Sequence, residues 1–337
     1  MSAENTYKEA GSISDSIVSV LVVLLLTFSF ASCSKPNTGQ EQGKPEQRTF
    51  ASPADAGAAL LDAAKKGDQN ALLAIFGPDS KDLLFSGDAV KDKNVMQLFV
   101  DQYGRMNRWS KNKSGAEVLY VGASNYAFPI PLVQNNSGQW VFDTGAGKDE
   151  ILARRIGDGE LTTIGVLTEI ANAQQEFFSK NHQFAQKFIS DAGEKNGLYW
   201  PVSEGQPPSP LNSLADVAKA LGYSAASSPQ PFNGYYYKML TQQGDKAKGG
   251  PKDYIADGKM KGGFAVLAWP AKYQDSGVMT FMVGTDGIVY QKDLGKNTSD
   301  AVAAITSYNP EDGWTVVLAP EPAKPVAATN SAKMTNP

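Results

Sequence analysis

The run Trp140-Val141-Phe142-Asp143-Thr144-Gly145 ends an apolar strand with a carboxylate beside a glycine turn. Two such carboxylates held together can share one proton and activate water for peptide hydrolysis, because neighbouring like charges do not both ionise easily. Asp143 stands in the one Asp-Thr-Gly of the chain, since Thr285-Asp286-Gly287 has the wrong order. It is therefore a weak catalytic candidate that needs a second copy of the chain. The plainer reading is that Asp143 closes a strand and that Gly145 and Gly147 turn the chain into a helix begun near Lys148. With one Cys and one His in 337 residues, a zinc finger, a His-rich metal cage, a Cys–His protease and an intrachain disulfide are excluded. Ser–His–Asp chemistry would have to run through His182, whose polar setting, Lys180-Asn181-His182-Gln183, reads as solvated surface. Gly147-Lys148 is no phosphate loop, because Asp149 follows it and no glycine lies five residues before Gly147. No metal site and no cofactor are expected.

A second constellation is charged and aromatic. Arg154, Arg155, Glu160, Trp200 and Glu204 can line a pocket between two halves of the chain, where charges beside a loop Trp would hold a polar ligand. The competing reading pairs Arg154 and Arg155 with nearby acids at a helix end. Tyr199, Tyr235, Tyr236, Tyr237, Trp269 and Tyr273 add aromatic surface that suits a sugar or peptide platform, or half-buried sheet faces. In Tyr235-Tyr236-Tyr237 the middle ring must oppose its neighbours, so one face carries two tyrosines.

These residues need elements to hold them. Ser52-Pro53-Ala54-Asp55 is a helix start, with a capping Ser, Pro at the first helical position and an acid at capping-box spacing. A second helix is expected over 68–76, stopped by Gly77-Pro78, and a third over 90–109. Strands follow at 117–122, 126–134 and 139–144, the last two joined by an Asn135–Gly138 turn. Phe128, Ile130 and Leu132 share a face, and Pro129 and Pro131 mark this strand as an edge. A long helix is expected over 159–180, and a short one capped at Ser213 runs to Gly222. Strands at 234–241, 263–269, 278–283 and 288–292, a helix at 299–306 and a strand at 314–317 complete the pattern.

The N-terminus addresses location. Residues 17–31 form an apolar run shorter than the ~20 residues of a membrane span and suited to a secretory signal. Phe30-Ala31-Ser32-Cys33 resembles a bacterial lipobox, which implies cleavage before Cys33 and attachment of lipid to its thiol; Phe30 replaces the usual Leu. Residues 1–32 are then a signal peptide and 33–48 a flexible tether. Loss of 1–32 removes Lys8 against Glu4, Glu9 and Asp15, so the formal charge of −4 becomes −2. That balance gives no electrostatic case for nucleic acid.

Four further resemblances follow. "SPADAGAALLDAAKKGDQNALLAIF" is similar to the opening of nuclear-transport-factor-2-like domains, which implies a cone-like α+β fold over 49–157. "LTEIANAQQEF", "NGYYYKM" and "FAVLAWPAKYQDSGVMTFMVGTDGIVYQ" together resemble the globular part of type IV pilins and pseudopilins, implying a long helix packed on an antiparallel sheet over 158–318. The Asp-Thr-Gly turn resembles that of aspartic proteases, whose retroviral type also needs a downstream apolar-apolar-Gly; Ile164-Gly165 lies inside a helical segment instead. Residues 319–337 read as a disordered tail. Taken jointly, "FASPADAGAALLDAAKKGD", "WVFDTGAGKDEILARRIGDGEL", "GLYWPVSEGQPPSPL" and the pilin-like stretch resemble the bacterial family called domain of unknown function 2950. The family pattern has Asn before the Glu of the last part of the second segment, where this chain has Gly159; Arg154, Arg155 and Glu160 match. The resemblance implies an exported envelope protein and no particular activity.

The expectation is thus an α+β protein on the periplasmic face of a bacterial membrane, lipid-anchored at Cys33 and acting as a noncatalytic binding or assembly module for an envelope protein partner. The alternatives are a small-ligand binder or enzyme with a pocket between the halves, and the Asp143 protease.

Overall fold

The computed structural model describes residues 46–202, 205–224, 230–311 and 313–317. The expected signal peptide, Cys33, the C-terminal tail and Glu204 lie outside these residues. The last part of the expected tether is packed: Gln47 donates to the carbonyls of Ile75 and Phe142, each at 2.8 Å.

Helix α1 (Pro53–Lys66) begins where its sequence predicts, with Ser52 Oγ accepting from Asp55 N, and ends on left-handed Gly67. Asp68 caps α2 (Gln69–Phe76) in the same way. A single turn, Pro78–Ser80, leads into α3 (Lys81–Leu84), and α4 (Ala89–Arg105) follows, capped by Asp88. The sequence extends α4 to Trp109, but the chain turns extended at Met106 and enters β1 (Asn107–Lys111). Two gains favour the strand there: Trp109 pairs with Leu119, and its ring reaches Phe142 at 6.4 Å in the core.

Strands β2 (Glu117–Val121), β3 (Tyr126–Ala127), β4 (Leu132–Gln134) and β5 (Trp140–Phe142) complete the first sheet, in the order β1-β2-β4-β5 with β3 also on β2. The expected 126–134 edge strand is therefore split. The prolines occupy the break between β3 and β4, where no ladder donor is needed, and β4 sits inside the sheet. Phe128, Ile130 and Leu132 do share a face, joining Phe50, Phe76 and Phe142 in an aromatic core under α1 and α2.

Helix α5 (Thr144–Asn181) is the largest departure: the helix expected to begin near Lys148 and the long helix expected over 159–180 are one helix, which starts at Thr144. At 38 residues it is about 57 Å long. Five glycines inside it suppress the helical signal, and two have a packing reason. A Cβ on Gly147 would lie 2.9 Å from the Pro129 carbonyl oxygen beside the first sheet, and one on Gly159 would lie 2.6 Å from the Ser276 carbonyl oxygen beside the second. The boundary expected at 157/158 thus falls inside a helix that packs on both sheets.

After α6 (Asn212–Ala220), which starts one residue before Ser213 without a side-chain cap, comes β6 (Tyr235–Leu240). Two short ribbons, β7 (Gln242–Gln243) with β8 (Lys252–Asp253) and β9 (Ile255–Ala256) with β10 (Lys259–Met260), precede β11 (Ala265–Pro270), β12 (Met279–Gly284) and β13 (Val289–Asp293). Helix α7 (Thr298–Ala304) and β14 (Thr315–Val316) close the chain. The second sheet runs β14-β13-β12-β11-β6, antiparallel throughout. The α5 side of β6 carries Tyr235 and Tyr237, the latter reaching Thr163 of α5 at 3.3 Å, so two tyrosines share the buried face as the alternation predicts. The whole is α+β.

Candidate functional site

Asp143 accepts a hydrogen bond from Ala146 N at 3.0 Å as the cap of α5, while its own N–H reaches Pro131 O at 2.9 Å. Its carboxylate serves the helix. We expect Asp143→Ala to destabilise the protein by about 1 kcal/mol and Asp143→Asn by far less, because Asn also caps. Urea unfolding of the two variants measures this; a larger loss for Asn than for Ala would refute the capping role.

The three charges of α5 expected to line a pocket are cross-links. Arg154 pairs with Glu150 at 2.6 Å, donates to Ala127 O at 2.9 Å and lies 4.7 Å over the Tyr126 ring, joining α5 to β3. Arg155 forms an ion pair with Asp275 and also donates to Leu83 O. Their side chains retain 12% and 9% exposure, so both charges are largely out of water. Glu160 Oε1 accepts from Val278 N at 2.9 Å and Met279 N at 3.0 Å, fixing the start of β12. Arg154 thus pairs with a nearby acid, but inside α5 and not at a helix end, whereas the partner of Arg155 is 120 residues away.

Trp200 packs against the C-terminal core with Lys195 Nζ 5.6 Å from its ring. It does not line the cleft that forms beside Arg155. His182 is exposed and ends α5 in a left-handed conformation, as its polar setting suggests.

That cleft holds about 800 Å³ and lies where three elements meet. Thr144, Lys148 and Leu152 form the α5 wall, Phe76 and Leu83 supply apolar surface, and Lys272 and Asp275 close the opposite side. Its size is that of a small-molecule site. Lys272 bridges Asp275 and Asp82, both at 3.0 Å, so Arg155, Asp275, Lys272 and Asp82 form one chain of charges from α5 to α3. Burial lowers the Lys272 pKa, but the hydrogen bonds and charges of the two carboxylates outweigh it and the net displacement is upward. The Lys272 hydrogen bond, followed by its charge, holds Asp82 below the usual carboxylate range.

Lys148, Lys272 and Asp275 escaped the sequence reading. Lys272 and Asp275 sit in what reads as a plain loop between strands, and their partners are distant in sequence. The left-handed Gln274 belongs to a tight turn that brings Asp275 to Arg155 of α5 and Lys272 to Asp82 of α3, and no residue pattern in the sequence marks those pairings. Among the described residues, no three His, Cys, Asp or Glu side chains come together as a metal site would require, and no helix is long and apolar enough to cross a membrane.

A family model described as "Protein of unknown function (DUF2950)" matches residues 47–317. No curated protein and no solved structure matches the chain, so the nuclear-transport-factor-2-like and pilin-like resemblances gain no support from known folds.

Proposed function

Because the chain belongs to the DUF2950 family, a family of unknown function, we propose its role from geometry: a noncatalytic binding module of the bacterial envelope, tethered through Cys33, that takes a small polar ligand in the cleft at the start of α5. The observation that carries this reading is the ion-pair chain from Arg155 through Asp275 and Lys272 to Asp82. Its buried half, Arg155 with Asp275, ties α5 to the turn that forms the opposite wall of an 800 Å³ cleft, and Lys148 stands on the open wall. A preformed cleft with charged and apolar walls suits recognition with little reorganisation. The lipobox-like Cys33 supports the location. Glu46 and Gln47, which line this cleft, stand 13 and 14 positions after Cys33, so tethering there would keep the cleft within reach of a membrane.

Two measurements test the reading. Intact mass and membrane fractionation of the native protein should give residues 33–337 plus acyl chains in the membrane fraction, with both features lost in Cys33→Ala. An unmodified mass and a protein free of membrane would refute the tether. For the cleft, a thermal-shift screen of amino acids, dipeptides and sugar phosphates should find a compound that stabilises the wild type. Leu152→Trp, which fills the cleft, should abolish that shift; an equal shift in the variant would place the compound elsewhere.

A further inference from the structure

A second cleft, of about 530 Å³, opens at the other end of α2, between the last turn of α1, the start of α3 and the first turns of α4. Lys65, Lys66, Lys81 and Lys93 stand around it over an apolar floor that includes Phe85 and Met96. Of the nearby acids, Asp62 is taken up in an ion pair, while Asp92, which lines the cleft, and Asp88 accept from neutral donors. Asp62 pairs with Lys66 at 2.8 Å. Asp92 turns both carboxylate oxygens to Ser86 N at 3.1 Å and accepts from Ser86 Oγ at 2.7 Å. Asp88 faces inward to Lys91 N, Tyr223 and Gly234. Lys65, Lys81 and Lys93 consequently make no ion pair among the described residues, on a chain whose formal charge is −4.

We propose that this cleft binds a phosphate group. Three ammonium groups from three separate helices surround it, each a compact charge with three donors. With the Asp92 carboxylate counted against the three ammonium groups, about two positive charges remain, which a phosphate with close to two negative charges and several acceptor oxygens balances and a singly charged carboxylate does not. The remaining backbone charge does not oppose it: the N–H of Gly67 covers the carbonyls of Ala63 and Ala64 at the end of α1, and α4 brings its positive end to the rim at Ala89. Phe85 and Met96 leave room for an apolar portion of the ligand, so the phosphate is either free or the headgroup of an amphiphile. The site is separate from the α5 cleft and does not depend on the function proposed for it.

Titration calorimetry of the full chain with inorganic phosphate, and separately with dihexanoyl-phosphatidic acid, a phosphate monoester, kept below its micelle concentration, tests this. Saturable binding is expected, falling as NaCl is raised because exposed charges are screened. The Lys65→Gln/Lys81→Gln/Lys93→Gln variant should lose about 10-fold or more in affinity, given the contribution of exposed charges. Its melting temperature should stay at the wild-type value, since all three side chains are at the surface. The arginine triple variant, which keeps the charges, should still bind. Equal affinity for the two probes identifies free phosphate, and clearly tighter binding of the lipid identifies a headgroup. No saturable heat with either probe, or unchanged affinity in the glutamine variant, would overturn the proposal.

Discussion

Replacing Arg155 with methionine is expected to destabilise the protein by about 3–5 kcal/mol, the usual consequence of leaving a buried charge without its partner. Arg155 and Asp275 are both largely buried, and the same guanidinium donates to Leu83 O. Methionine keeps much of the stem volume but none of the donors, so Asp275 loses its buried partner and keeps only Lys272, which at 44% exposure compensates it weakly, and Leu83 O loses a donor. Urea unfolding would measure the loss. The second arm of the experiment replaces both partners, Arg155→Met with Asp275→Leu, and should recover most of the stability because no unpaired charge remains. A single variant within about 1 kcal/mol of wild type, the range of an exposed pair, would show that the pair is solvated. The same variant should also weaken any ligand of the α5 cleft, because Arg155 fixes the loop that forms one wall.

Asp88→Ala should have an effect of similar size through a different mechanism. Asp88 is 3% exposed and accepts from Lys91 N at 3.0 Å, Tyr223 Oη at 2.7 Å and Gly234 N at 3.1 Å. Removing it costs a helix cap, about 1 kcal/mol, and strands two inner donors at roughly 1–3 kcal/mol each. A total of about 3–7 kcal/mol is expected on denaturation. A second readout separates this from simple loosening. Burial pushes the Tyr223 phenol well above its ordinary value, and the Asp88 hydrogen bond pushes it further. In Asp88→Ala, Tyr223 should ionise at lower pH, as followed by phenolate absorbance; an unmoved titration would mean that the two side chains are not coupled.

The sequence reads well wherever a local rule decides. Ser52 caps α1 where the helix start places it, α2 stops at Gly77, and the alternation in Tyr235–Tyr237 puts two tyrosines on one face, whereas the glycines after Asp143 hide its capping role. It reads poorly where a distant contact decides. Gly145, Gly147, Gly157 and Gly159 look like loop residues, yet Gly147 and Gly159 lie in α5 because backbone from other elements passes within 3 Å of where a Cβ would stand. Trp109 suits either a helix or a strand by composition, and a partner across the sheet settles it. The charges Arg154, Arg155 and Glu160 are visible as candidates, but their roles rest on residues as far as 120 positions away. The walls of the cleft are equally remote from each other along the chain, so periodicity and spacing carry no trace of their meeting.

Helix α5 also limits what this chain can exchange with others. A recombination crossover near residue 157 would cut the helix between the glycine that seats it on the first sheet and the glycine that seats it on the second. Neither fragment would inherit a complete scaffold, and a foreign half would have to match glycine for carbonyl at the new contact. Crossovers in the loops that flank α5 carry the helix whole, but leave one sheet against a stranger. The two sheets are therefore expected to descend together, with new binding properties arising by substitution at the cleft rims instead of by replacement of either half.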